Sequence, residues 1–449
     1  MDDSIILPCG RQLQNRFVKA AMYEAMANFG GGPPTQQHYE LYSKWAAGGW
    51  GMIITGNVQV CQSHLTLGRD ITLPKNPAEM ESFKQWARCM KLSAEGTGPL
   101  VIMQLSHAGR QSPRFIGGRD ILAGTPPSAP SPQPMTPREG ILSRLMFSLL
   151  FQSPHPLDSS EIESVVSSFV YGALVAQDSG FDGIQLHASH GYLLSQFLSI
   201  KNNHRVDDYG PPNELKLLRD IVSAIRAEPR IPNSFAIGIK LNAGDYAGDR
   251  ANEEHALSHV RSIAAWQQVD FLEISGGDYE SPGKDFMARA SARQAFFSSF
   301  SRKALEYISG TENRRPRIML TGSIRSVDTI EDCLNRKHAE LIGIGRPAIL
   351  YPDLPRMIIA SREFPPISDI PALPRWVFNV VQVKLVGAGL DTAVWVRAMK
   401  RIACGDNRRL EGNVLDAFLH LLSGPTLTPF LWGLALALLI VSVAFARTF

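Results

Sequence analysis

Cysteine is scarce: the chain has five in 449 residues. Cys9, Cys61, Cys89, Cys333 and Cys404 form no CxxC or CxxxC pair. That spacing argues against a zinc site, an iron–sulfur cluster or a disulfide framework, and it fits a reducing compartment. Excess charge of either sign is also missing. The formal net charge is +3, and there is no basic block or aromatic-interleaved Lys/Arg stripe. Nucleic-acid binding therefore has no electrostatic footprint. The N-terminal MDDSIILPCG is acidic and too poor in apolar residues for a secretory signal, so the body of the protein is expected in the cytosol. The last absence points the other way. No charged residue occurs from Gly424 to Ala446, and Pro429–Ala446 is almost wholly apolar. About 18 such residues can cross a bilayer as a helix, and Trp432 and Arg447 sit where interfacial anchors are expected. The expectation is a single-pass C-terminal anchor at residues 425–446, with the catalytic body on the cytosolic side of an internal membrane. The alternative is a C-terminal helix buried against the body or in a dimer interface, and homo-oligomerisation stays open.

What is present is an ordinary globular composition, 44% hydrophobic and 19% charged, organised as alternating β and α patterns. Eight apolar runs bounded by turn residues read as strands buried on both faces: Phe17–Met22, Gly51–Asn57, Leu100–Leu105, Asp182–His187, Phe235–Leu241, Asp270–Ser275, Arg317–Thr321 and Leu341–Gly345. Amphipathic segments such as Ser160–Ser179 and Asn213–Ala227 lie between them. The fold class this predicts is α/β, a (β/α)₈ TIM barrel over residues 1–355, in preference to an open doubly wound sheet. Residues 356–424 form a helical extension that ends in the amphipathic Asn413–Leu422. One connection, residues 112–158, is long and Pro-rich and contains the apolar Ile141–Phe151. A loop of that length in a compact barrel is often a functional lid.

A barrel builds its site at the C-terminal ends of its strands. The fourth strand ends in LHASHGYLLSQFLS. Two imidazoles, His187 and His190, could donate hydrogen bonds to a substrate carbonyl oxygen, and Tyr192 could deliver a proton to the neighbouring carbon. Structural histidines at a strand–helix junction are the plain alternative, and a metal pair there lacks a third ligand. Lys240, in the fifth strand, costs several kcal/mol if it is buried unpaired. It either faces a cofactor that gains negative charge or pairs with an acid on a neighbouring strand. The last two strands end in LTGSIRS and IGIGRPAIL. Loops after strands seven and eight of a barrel habitually hold phosphate, and glycines let backbone N–H groups approach it.

The run FDGIQLHASHGYLLSQFLSIKNNHRVDDYG resembles the fourth-strand signature of the Old Yellow Enzyme family, the NADH:flavin oxidoreductases and FMN-dependent ene-reductases. The resemblance spans about Ser4 to Leu354. It implies FMN as cofactor and NADH or NADPH as hydride donor, with His187 and His190 on the substrate oxygen and Tyr192 as proton donor. LQNRFVKAAMYEAMA is similar to the family's first strand and implies that Ala20, Ala21 and Met22 lie against the flavin. Tyr23 departs from the family's usual Thr or Cys, which puts redox tuning and room for substrate in doubt. GGWGMIITGNVQV and VIMQLSHAGRQ imply Gly56 near the flavin and Gln104 on its pyrimidine edge, where an amide can both donate and accept. Lys240 matches the cation beside flavin N1 and O2. Gly322, Ser323, Gly345 and Arg346 match the phosphate-binding residues. The chain departs again at DYGPPNELK and lacks the iron–sulfur segment of larger relatives, so electrons are expected from free NADH or NADPH. The implied function is reduction of the activated C=C bond of a small-molecule enone, lipophilic if an anchor holds the site near a bilayer. A desaturating dehydrogenase or oxidase is the alternative, followed by a flavin-loaded scaffold without turnover.

Overall fold

The computed structural model describes residues 1–91, 98–120, 124–136, 141–242, 250–275, 290–309, 314–322, 324–366 and 384–406. Eight parallel strands close into a barrel: β1 Phe17–Lys19, β2 Met52–Gln59, β3 Leu100–Ser106, β4 Gly183–Ala188, β5 Ala236–Asn242, β6 Phe271–Ser275, β7 Arg317–Thr321 and β8 Leu341–Ile344. Each strand pairs with its neighbour in sequence. Closure comes from β1, which pairs with β2 through Val18↔Met52 and with β8 through Val18↔Gly343. The eight expected strands are these eight, with small differences at the ends. Ala20 N still donates to Ile344 O at 3.0 Å, after which the chain leaves the sheet, so β1 is shorter than the apolar run. In β2 the register shifts between Ile54 and Asn57. Such a bulge leaves a ladder partner unmet, and the Thr55 hydroxyl replaces it by accepting from Gln104 N at 2.9 Å.

Strand side chains alternate between two faces, and the two faces have different fates. Val18, Met52, Ile54, Ile102, Ala236, Phe271, Met319 and Leu341 fill the barrel's interior with Leu7 and Leu13. The last two come from a hairpin, Ile5–Ile6 with Gln12–Leu13, that closes the N-terminal mouth. Gly238 makes room for this packing, because a Cβ there would lie 2.1 Å from the Phe271 ring. The opposite strand faces pack beneath the helices α1 Gln36–Ala46, α2 Pro77–Lys91, α3 Ser159–Ser179, α4 Lys216–Ala227, α5 Arg250–Ala265, α6 Ala290–Ile308 and α7 Val327–Asn335. The start of α3 shows why its boundary was readable. Asp158 and Glu161 form a reciprocal capping box, and Gly180 ends the helix at φ +90°.

Beyond the barrel, α8 Leu354–Ser361 and α9 Lys384–Ala403 belong to the extension. Trp395, Met399 and Ile402 join the main core, α9 packs on α1, and Lys44 Nζ donates to Ile402 O. The long connection carries a helix at Ile141–Leu150 and a short strand pair, Ser128–Ala129 with His155–Pro156. Arg119 staples it to the loop after β2 by donating to Ser63 O at 3.2 Å, and braces the connection itself by donating to Ser112 Oγ at 2.6 Å. Among the described residues no helix is long and apolar enough to cross a membrane. The expected anchor at 425–446 and the segment Asn413–Leu422 lie outside the described residues.

Candidate active site

Inside the barrel mouth, inward positions of four adjacent strands carry polar side chains. Register sets them side by side: Gln104 faces Gln185, and Lys240 is flanked by His187 and Glu273. Gln104 Nε2 donates to Gln185 Oε1 at 2.7 Å, and Gln185 Nε2 donates to Glu273 Oε2 at 2.8 Å. Lys240 Nζ stands 3.1 Å from Glu273 Oε1. All four side chains are buried, so the row must satisfy itself. Gln104 and Lys240 were candidates from sequence. Gln185 and Glu273 were not given roles, although counting every second residue back from the strand ends marks both as inward and polar. The acid set against a cofactor role for Lys240 is thus present, and it is Glu273.

The chain turns sharply just above this row. His190 adopts a left-handed backbone, φ +58°, which is uncommon for a residue with a side chain and clusters at functional sites. The turn brings three candidates together. The His187 and His190 rings are 5.0 Å apart, and the His187 and Tyr192 rings 4.8 Å. His187 Nδ1 accepts from Ser189 N at 3.3 Å, which leaves the proton on Nε2 as a donor. His190 Nε2 lies 3.3 Å from Ser275 Oγ, and Gln111 Nε2 donates to His190 O at 2.7 Å. Asn57 Nδ2 is 3.5 Å from the Tyr192 hydroxyl. Burial holds both imidazoles well below their ordinary pKa. For His187 the neighbouring His190 and Lys240 add to this, and for His190 Lys240 does. Both rings are therefore neutral donors at neutral pH.

The ends of β1, β7 and β8 are adjacent through the Thr321↔Gly343↔Val18 register. Ala20 is buried in the barrel interior, Ala21 packs against that interior, and Met22 and Tyr23 are half-buried against the outer core. At Gly345 a Cβ would meet nothing nearer than Met22 Sδ at 3.7 Å, so the space beside that backbone is open. Gly322 has φ +144°, and among the described residues Thr321 Oγ1 is buried without a hydrogen bond. Open backbone and an orphaned hydroxyl at the ends of strands seven and eight fit a phosphate. Arg346 opens the short helix that follows, and Ser323 lies outside the described residues. Gly56 has a different reason to be glycine. A Cβ there would lie 2.0 Å from Glu24 Oε2, and its N–H is already taken by Glu24 Oε1 at 3.0 Å and Tyr42 OH at 2.8 Å.

That pairing belongs to a second buried polar group, which the sequence did not reveal. Lys19 points outward from β1 toward α1, where Nζ donates to Ile54 O at 3.0 Å and sits 4.1 Å from the Trp45 ring. Tyr42 OH donates to the Glu24 carboxylate. Burial lowers the Lys19 pKa and raises that of Glu24, and each opposes the other's shift. Strand patterning hides such a lysine because apolar neighbours surround it.

Cys61, His64 and His107 also place three donor atoms within 4.8 Å of one another. Here hydrogen bonds already use the rings. His64 Nε2 accepts from Ser128 N at 2.9 Å, and His107 Nδ1 accepts from Gly109 N at 3.1 Å. With Nε2 accepting, His64 keeps its proton on Nδ1 and hands it toward Cys61 Sγ, 3.3 Å away. The cluster therefore braces two loops.

Buried histidines carry a consequence for stability. Burial pushes His38 and His107 down to about 3, and holds His64, His187 and His190 well below the ordinary value. The unfolded chain binds these protons near pH 6.5, and the folded chain does not. Their contribution is thus fully present above about pH 6.5 and lost as pH falls, at about 1.4 kcal/mol per pH unit for each histidine. Thermal melts are expected to show a midpoint that drops steeply below about pH 6. A midpoint unchanged down to about pH 5 would contradict the assignment.

Comparison with known proteins gives the family and the fold. Residues 9–364 match the model of the NADH:flavin oxidoreductase / NADH oxidase family. The NADH-dependent flavin oxidoreductase iccE of Talaromyces variabilis is 33% identical over 424 residues, covering 89% of this chain and 97% of that protein. The NADH-dependent flavin oxidoreductase iliE of Neonectria sp. (strain DH2) is 33% identical over 414 residues, 87% of this chain, but this chain spans only 52% of iliE. Among solved structures, the old yellow enzyme homologue from Zymomonas mobilis superposes with a TM-score of 0.63 at 22% identity, over 82% of this chain and 94% of its own. Morphinone reductase in complex with tetrahydroNAD gives 0.62 at 20% identity, over 81% and 91%. At those identities the structures speak to the fold.

Proposed function

The chain belongs to the NADH:flavin oxidoreductase / NADH oxidase family, and on that premise we propose that it reduces the activated C=C bond of an enone-type small molecule. FMN, with NADH or NADPH as donor, is the cofactor set, and bound FMN supplies the two-electron relay between donor and acceptor. The observation that carries the reading is the edge-to-face cluster of His187, His190 and Tyr192 beside Lys240. In this reading the neutral rings of His187 and His190 donate hydrogen bonds to the acceptor's carbonyl oxygen and stabilise charge gathering there. The Tyr192 hydroxyl delivers a proton to the α-carbon. With FMN bound, Lys240, held by Glu273, would supply positive charge to it, and Gln104 would offer its amide to it. Ala20, Ala21 and Met22 form a wall of the pocket. Gly322, Gly345 and Arg346 receive the phosphate, and half-buried Tyr23 limits the room for substrate.

Substrate and donor share one site, so turnover is ping-pong. The test is anaerobic. NADH or NADPH should bleach the yellow holoprotein, and 2-cyclohexenone should restore its colour. A holoprotein bleached by the donor but reoxidised only by oxygen would sink the enone reading and leave the family assignment standing.

A further inference from the structure

The turn of sequence HALSH lies on α5, far from the barrel mouth's histidines in the chain. His255 and His259 are four residues apart, so they share one face of the helix, and their rings are 4.4 Å apart. Glu214, from the turn just before α4, reaches both. Its Oε1 is 2.9 Å from His255 Nε2 and 3.2 Å from His259 Nε2. The three donor atoms all lie within 4.8 Å of one another. We propose that Glu214, His255 and His259 form a divalent transition-metal site, with zinc as the favoured ion.

Four features separate this cluster from a carboxylate that simply pairs with two histidines. The contacts from both rings converge on one oxygen. Among the described residues, Glu214 Oε2 makes no hydrogen bond although the atom is buried. A carboxylate placed only to pair with the two rings would not leave that oxygen unmet. The spacing also suits a metal. Ligands about 2.0–2.1 Å from a tetrahedral zinc stand roughly 3.3 Å apart, close to the two nitrogen–oxygen separations above. The donor chemistry agrees, since two imidazoles and one carboxylate match zinc, and the i, i+4 histidine pair on a helix is a geometry zinc uses.

His255 keeps 31% of its side-chain surface, whereas Glu214 keeps 5% and His259 keeps 6%. Solvent thus reaches one side of the cluster, and a water would complete four-coordination. A metal here would cross-link α5 to the turn before α4. These helices follow the strands that carry Lys240 and His187, so its role is to brace the outer wall of the site. Chemistry at the metal is not required.

The test uses the full-length, FMN-loaded protein, stripped with EDTA, desalted and titrated with zinc sulfate by calorimetry. One zinc per chain is expected to bind with micromolar or tighter affinity and to raise the melting midpoint. Glu214→Gln and His255→Ala should each weaken that event at least about 100-fold, given that even ligand-orienting residues cost 10–100-fold. His255 is partly exposed, so its variant keeps the fold even if a change at buried His259 does not. Wild type that takes up no zinc overturns the proposal. So does zinc that binds both variants as tightly as wild type, since it would then sit on other residues, such as the Cys61 cluster.

Discussion

Tyr192→Phe is expected to slow enone-dependent turnover by about 10²–10⁴-fold, the usual worth of a positioned general acid. NADH-driven bleaching of the same protein should proceed at the wild-type rate. The asymmetry follows from where the hydroxyl stands. Tyr192 is buried, its ring lies 4.8 Å from His187, and Asn57 Nδ2 is 3.5 Å from its oxygen. Phenylalanine keeps the ring and its packing and removes the hydroxyl proposed to hand over the proton. The cost to folding should be small, about 1 kcal/mol for a single hydrogen bond. Stopped-flow measurement of each half-reaction separates the two outcomes. Loss of the donor half-reaction would mean that Tyr192 shapes the pocket rather than supplying the proton. An unchanged acceptor half-reaction would mean that water protonates the product.

Lys240→Met should damage both fold and function, for different reasons. The substitution removes the cation and leaves Glu273 buried at the end of the Gln104–Gln185–Glu273 row. Removing one partner of a buried pair costs about 3–5 kcal/mol, because the other charge is stranded. Pairing the change with Glu273→Gln removes the stranded charge, and an amide can still accept from Gln185. Most of the lost stability should therefore return in the double variant. The rate of reduction by NADH should not, since the positive charge proposed to lie beside the cofactor is still missing. Denaturant unfolding read against half-reaction rates makes the comparison a double-mutant cycle. A Lys240→Met protein within 1 kcal/mol of wild type would show that this ion pair has no structural weight.

The ion pair also shows where sequence reading stops. The strands were legible because parallel barrel strands are buried on both faces and read as unbroken apolar runs. His187, His190 and Tyr192 stood out as polar residues at the end of the fourth run, and Gln104 through the family resemblance of VIMQLSHAGRQ. The partner of Lys240 did not, because it depends on the Lys240↔Glu273 register, which only barrel closure determines. Lys19 was hidden for a related reason, since its counter-charge Glu24 and its cage of Tyr42 and Trp45 come from the turn and helix that follow. Gly56 was legible as a glycine and not for its cause, which is the close approach of Glu24. The His255–His259 spacing was visible in the sequence, but its third ligand comes from another helix start. Cysteine spacing alone could not have pointed to it.

The most direct test of the central claim is the origin of the two hydrogens added to 2-cyclohexenone. Turnover with nicotinamide-deuterated NADH or NADPH in ordinary water should place deuterium at the β-carbon. Turnover with unlabelled donor in D₂O should place it at the α-carbon, and Tyr192→Phe should suppress product formation in both. Donor deuterium at the β-carbon and solvent deuterium at the α-carbon are what this account predicts. Donor oxidation with no saturated ketone, or label scrambled between the two carbons, would contradict it.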